Sequence, residues 1–217
     1  MDLSLIKIPP TCDEMIHELD AYYTLFYHEV IRMSNLSINN YLDDYLATLD
    51  KLIANSTPQN SMRAAIGVLS LHRLGFRKFD QLAHIFDKLI PQKDEECVKF
   101  TSYIAGQLVH HPDTDQTQYV SHLFHRLVGW ITVTGRHQRL LAASFLLCSL
   151  AENAGNSIII FIPTIKTVIW HLVSLPFPKF TVLKATAKSI SLTTRSILRY
   201  GRGELDSYLD FLNGLCI

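Results

Sequence analysis

Four leucines, Leu71, Leu108, Leu150 and Leu192, stand at the same late position of four successive helical patterns, 37, 42 and 42 residues apart. A base precedes each at a similar distance: Arg63, Lys99, Arg139 and Lys184. A unit of this length that carries one apolar stripe per helix cannot bury its own apolar face. Neighbouring units must stack for a core to form. Pro91–Trp130 shows the unit most clearly. Cys97, Phe100, Thr101, Ile104 and Leu108 make one stripe at helical spacing. His111-Pro112-Asp113-Thr114-Asp115 then breaks it, because proline cannot continue a helix and disfavours helical dihedrals in the residue before it. Tyr119, Val120, Leu123, Phe124, Leu127, Val128 and Ile131 form the second stripe.

The rest of the chain reads as further copies of this hairpin. Asp13 and Glu14 open a helix to about Met33, with acids at the positive end of its dipole. Tyr41–Ile53 is its partner, and Asn55-Ser56-Thr57-Pro58 is a loop. Gly135 precedes RHQRLLAASFLLCSLAEN, Arg136–Asn153, which is apolar almost all round and requires neighbours on both sides. Asn156 starts the next helix. There Ile158–Ile160 lower helix propensity and make a strand conceivable, but the surrounding helical period argues against it, and Pro163 introduces a kink. Pro176-Phe177-Pro178 is the following break. The expected fold is all-α: an α-solenoid of about five HEAT-type antiparallel pairs, armadillo-like, over residues 13–54, 59–90, 94–132, 136–175 and 179–217.

Composition narrows the class. With 48% hydrophobic and 18% charged residues in 217, the chain is globular, and a net charge of +0 gives no bulk attraction to nucleic acid or anionic membrane. The charge is unevenly spread. Residues 1–60 hold Asp2, Asp13, Glu14, Glu18, Asp20, Glu29, Asp43, Asp44 and Asp50 against Lys7, Arg32 and Lys51, whereas residues 179–202 hold six bases and no acid. The cysteines Cys12, Cys97, Cys148 and Cys216 lie far apart, three of them in apolar helical patterns, as expected in a reducing compartment. No leader is read at the N-terminus. No transmembrane span is read in the apolar region either, because Glu152, Asn153, Gly155 and Asn156 interrupt it and Pro163 and Lys166 follow. The expectation is a cytoplasmic protein.

Candidates for chemistry are few. Among ten histidines, His122 and His125 share a helical face and His110-His111 precedes them. A small metal-dependent enzyme using them is the least favoured reading, since zinc needs three or four converging ligands and H-E-x-x-H is absent. Asp113 and Asp115 suit helix capping ahead of Tyr119. No nucleophile motif occurs, so no catalytic, cofactor or metal residues are assigned. One surface stands out. On a helix starting near Val182, Lys184, Lys188, Arg195, Arg199 and Arg202 fall within about 60° of one another, with Val182, Leu183, Ile190, Thr194, Ile197 and Leu198 on the other side. Such a single-sign stripe is a docking strip for an acidic segment or phosphate, or a solvated face. Nucleic acid is disfavoured because aromatic residues do not interleave it.

Residue order goes further than the generic repeat. Pro91, Asp94, Val98, Gly106, Leu108, Asp113, Thr114, Tyr119, Val120, Arg126, Trp130, Arg139, Ala142 and Ala143 stand in sequence. This pattern, within Arg63–Leu192, resembles the N-terminal HEAT region of target-of-rapamycin (TOR) kinases. The resemblance implies a non-catalytic scaffold that assembles with a Raptor-type regulatory subunit in nutrient and growth signalling, with peripheral membrane association through its partners. The kinase domain of that family lies downstream, and here there is no Gly-rich phosphate loop, catalytic loop or D-F-G-like motif. An independent helical-repeat adaptor or transport-type protein is the alternative. GELDSYLDFLNGLCI presents Leu205, Tyr208, Leu209, Leu212 and Leu215 with no polar cap behind them, so the isolated chain is expected to self-associate or to need a further segment.

Overall fold

The computed structural model describes residues 3–36, 41–55, 57–73, 79–110, 116–132, 137–176 and 178–215. Among them every regular element is helical. The turn at residues 111–115, Gly135 and Cys216 lie outside the described residues. The chain forms two compact units, Met1–Ile104 and Ala105–Ile217, with the boundary inside one helix.

The first unit contains α1 (Cys12–His17), α2 (Leu19–Leu36), α3 (Tyr41–Ala54), α4 (Pro58–Arg73), α5 (Phe79–Leu89) and most of α6 (Glu95–Gln107). The helix expected from Asp13 is interrupted at Glu18, giving α1 and α2. Each start has a chemical cause. Thr11 caps α1 by accepting from the Glu14 N–H, and Thr57 caps α4 through the Asn60 N–H at 3.2 Å. Pro58 follows in the first turn of α4, where its missing N–H costs nothing. Asp94 accepts from the Cys97 N–H at 2.8 Å and caps α6.

Helix α4 is the centre of this unit, packed against α2, α3 and α5. Asn60–His72 is buried apart from Arg63. Its small residues Ser61, Ala64, Ala65, Gly67 and Ser70 let neighbours approach closely, and the Ser70 hydroxyl is satisfied by the Ile66 carbonyl at 2.9 Å. Two of the four recurring bases are structural ties here. Arg63 donates to the Ile6 carbonyl at 2.7 Å, and Lys99 pairs with Asp13 at 2.8 Å.

The second unit runs from the end of α6 through a 3-10 turn at Leu108–His110, α7 (Gln116–Thr132) and α8 (His137–Asn153). It continues through a 3-10 segment at Gly155–Phe161, α9 (Ile162–Val173), α10 (Phe180–Tyr200), a 3-10 turn at Arg202–Glu204 and α11 (Leu205–Leu215). Helix α8 packs along α10, and α9 contacts both α7 and α11. As its composition requires, α8 is buried from Leu141 to Ala151 apart from Phe145. The C-terminal end of α6 meets α8 at Gly106, where an added Cβ would fall 2.1 Å from Ser149 Oγ. Nearby, Gln107 Nε2 donates to Asn153 Oδ1 at 3.1 Å. Tyr119 is buried and its hydroxyl donates to the Ala105 carbonyl at 3.1 Å. Phe124 stacks on Phe161, ring centroids 4.6 Å apart.

Ile158–Ile162 is not a strand. The β-branched run forms a 3-10 segment entered through Gly155, whose φ of 54° is the left-handed region that glycine occupies without strain. Pro163 does not kink a longer helix; it sits in the first turn of α9, which begins only at Ile162. The two segments together, Gly155–Val173, are long and apolar enough by length and composition alone to cross a membrane, a property that the core helices of water-soluble proteins share. Ile158, Ile162, Ile165, Val168, Ile169 and Leu172 are buried within the unit, and Lys166 donates to the Ser207 carbonyl at 2.8 Å.

Of the register leucines, Leu71, Leu108 and Leu150 are fully buried, while Leu192 is half-buried on α10.

Candidate docking surface

The basic strip lies on α10 and the turn after it. Lys184, Lys188, Arg195, Arg199 and Arg202 are all exposed. Helix α10 ends because Gly201 follows Tyr200; the Gly201 N–H still bonds the Ile197 carbonyl at 2.9 Å, and Arg202 enters the 3-10 turn. Lys188 reaches Glu152 of α8 at 3.4 Å, and the Arg199 guanidinium lies 5.2 Å from the Tyr200 ring centroid. Lys184, Arg195 and Arg202 make no ion pair among the described residues. A shallow groove of about 590 Å³ runs between Ser191, Thr194, Arg195, Leu198 and Arg199.

The opposite face is not the one hydropathy predicts. Val182 and Ile197 are buried, but Ile190 and Thr194 are only half-buried, and Leu183 and Leu198 are 36% and 51% exposed. The buried face is turned towards Ala185, Thr186, Ser189 and Thr193. Small side chains allow the long contact with α8, and their hydroxyls need no partner across the interface. Thr186 bonds the Val182 carbonyl at 2.7 Å and Ser189 the Ala185 carbonyl at 2.8 Å. Cys148 of α8 lies beside Ser189, and burial pushes its thiol above the ordinary range. The strip is therefore mixed: five cations with Leu198 lining the groove beside Arg195 and Arg199, and Leu183, Phe180 and Tyr200 exposed elsewhere on the helix.

Among the described residues no three of His, Cys, Asp and Glu converge so as to hold a metal ion. On α7, His122 is half-buried and His125 exposed. Asp113, Asp115 and His111 lie outside the described residues. Cys12 and Cys97 are buried in the first unit, and burial pushes both thiols up to about 12. A thiol so displaced stays protonated near neutrality and is a packing group.

The C-terminal helix is better covered than its composition implies. Tyr208 is buried with its hydroxyl close to Thr193 of α10, and Leu205, Leu212 and Leu215 are half-buried. Only Leu209 of that apolar set is exposed.

Sequence reasoning missed one polar tie that organises the first unit, Glu96 to the Cys12 N–H at 2.6 Å. Eighty-four residues separate the partners. No family model, curated protein or solved structure matches this chain. The likeness to TOR kinases rests on the ordered residues of the sequence alone.

Proposed function

We propose that this chain is a non-catalytic, HEAT-type helical-repeat scaffold for protein–protein interaction, with the α10 strip as a docking surface. The supporting observation is the pattern of helix contacts in the second unit. In the sequence register α8 and α10 are the first helices of successive pairs, and α7, α9 and α11 are second helices. Helix α8 packs on α10 and α9 on α7 and α11, the contacts of stacked hairpins that share a core, and α7 packs on α8 where one pair follows the next. An open strip of cations beside exposed leucine and aromatic side chains is the composition of a recognition surface.

The narrower reading places the scaffold in a TOR-type kinase assembly, supported by the residue order from Pro91 to Ala143. The test is affinity capture on the tagged full chain, with partners identified by mass spectrometry, alongside the size of the endogenous product that carries this segment. Capture of a Raptor-type subunit and a very large product are expected. A product near 24.7 kDa without that subunit would favour the independent adaptor.

A further inference from the structure

The strip on α10 has a counterpart in the same chain. Helix α3 exposes Asp43, Asp44, Ala47, Asp50, Lys51 and Ala54. Asp43 and Asp50 are seven residues apart, two turns on one face, which is also the separation of Lys188 and Arg195. In both helices the two charges lie about 10.5 Å apart along the axis. Laid antiparallel, Asp43 meets Arg195, Asp50 meets Lys188, and Ala47 falls opposite Ser191. Both central residues are small and exposed, so the helices can approach closely. The charge of the molecule is divided the same way, with acids concentrated in residues 1–60 and bases in 179–202 at a net charge of +0.

We infer that the occupant of the α10 strip is a second copy of this chain, presenting the acidic face of its α3. The inference rests on the strip being a docking surface, as proposed above. The contact joins two different surfaces, so copies either exchange it reciprocally, close a ring or propagate a chain. Exposed ion pairs are individually weak and are screened within about 8 Å at physiological salt. The assembly should therefore depend on both concentration and salt.

The experiment is sedimentation velocity on the full chain at low and high salt, with two charge-reversed variants, K188E/R195E and D43K/D50K. Wild type should sediment faster with rising concentration at low salt, and high salt should abolish this. Each variant alone should be monomeric, with association weakened at least tenfold. Mixed in equal amounts they should associate again, because the native α10 of D43K/D50K meets the native α3 of K188E/R195E and the reversed pair, acidic α10 against basic α3, is complementary as well. That rescue separates lost docking from lost folding. R195E alone, which leaves the Lys188–Glu152 pair intact, should weaken association in the same direction. A wild type that stays monomeric at low salt would overturn the inference, as would a mixture that fails to associate. Strip-dependent binding to vesicles containing phosphatidylserine without rescue in the mixture would assign the strip to an anionic lipid surface instead. Strip-dependent capture of a Raptor-type subunit by a monomeric chain would overturn self-docking and leave the scaffold reading standing.

Discussion

The carboxylate of Glu96 on α6 accepts a 2.6 Å hydrogen bond from the backbone N–H of Cys12, the first residue of α1. That N–H is one of the donors a helix start leaves without an internal partner, and a carboxylate there also meets the positive end of the helix dipole. Lys99, one turn further along α6, donates to the Asp13 carboxylate at 2.8 Å. Glu96→Ala should lower stability by about 1–2 kcal/mol. Glu96→Gln should lose less, because an amide oxygen still accepts. Lys99→Ala removes a largely exposed pair and should stay within about 1 kcal/mol. Urea unfolding midpoints of the three variants give this order.

Gly106 tests how closely α6 and α8 approach in the second unit. An added Cβ would lie 2.1 Å from Ser149 Oγ, 2.8 Å from Asn153 Nδ2 and 3.0 Å from the Ser149 carbonyl oxygen. Gly106→Ala should therefore destabilise by about 1–3 kcal/mol, as overpacking does. Adding Ser149→Ala removes the nearest atom and should recover part of the loss, measured by thermal unfolding of the single and double variants.

The thiols report on the two cores. Cys12 and Cys97 are buried with thiols pushed up to about 12, and Cys148 is raised by burial as well. None of the three should react with an aryl disulfide reagent at pH 8 until the protein unfolds. Raised values favour the protonated native form. Their contribution is complete below the ordinary value of 9.0 and is lost as pH rises towards about 12. Prompt labelling of Cys12 or Cys97 in the native state, located by mass mapping, would contradict the described burial.

Glu29 sets the acid limb. Its carboxylate is 5% exposed, and hydrogen bonds from Arg32, one of them 2.8 Å from Nε, hold it below the ordinary 4.5 against the opposing effect of burial. A depressed carboxylate contributes stability above its unfolded value, and that contribution is lost as pH falls through the folded value. Arg32→Gln should therefore be less stable than wild type at neutral pH. The gap should close below the usual carboxylate range, as read from melting temperature against pH.

Hydropathy period located most of the helices because each apolar stripe must meet a neighbour. Leu71, Leu108 and Leu150 are buried where the register puts them. It failed on α10, where a long contact with α8 is made by Ala185, Thr186, Ser189 and Thr193. Serine and threonine that bond their own backbone enter a core without reading as apolar. The same blindness hid the exposure of Leu183 and Leu198, which decides what the strip can bind. The Glu18 break and the 3-10 segment after Gly155 are likewise settled by packing, which periodicity along one helix does not register. Lys184, Lys188, Arg195 and Arg199 were legible because a charge stripe depends only on helical geometry, whereas Arg202 lies past the end of α10 in a 3-10 turn.

The stacking of first helices on first helices is the claim on which the scaffold reading stands, and Cys148 beside Ser189 provides its most direct measurement. Ser189→Cys, oxidised under mild conditions and mapped by mass spectrometry, should form an intrachain disulfide with the native Cys148 while the chain keeps its helical content. Failure of these two thiols to pair in a folded chain, or pairing of the introduced thiol with another cysteine, would contradict the account.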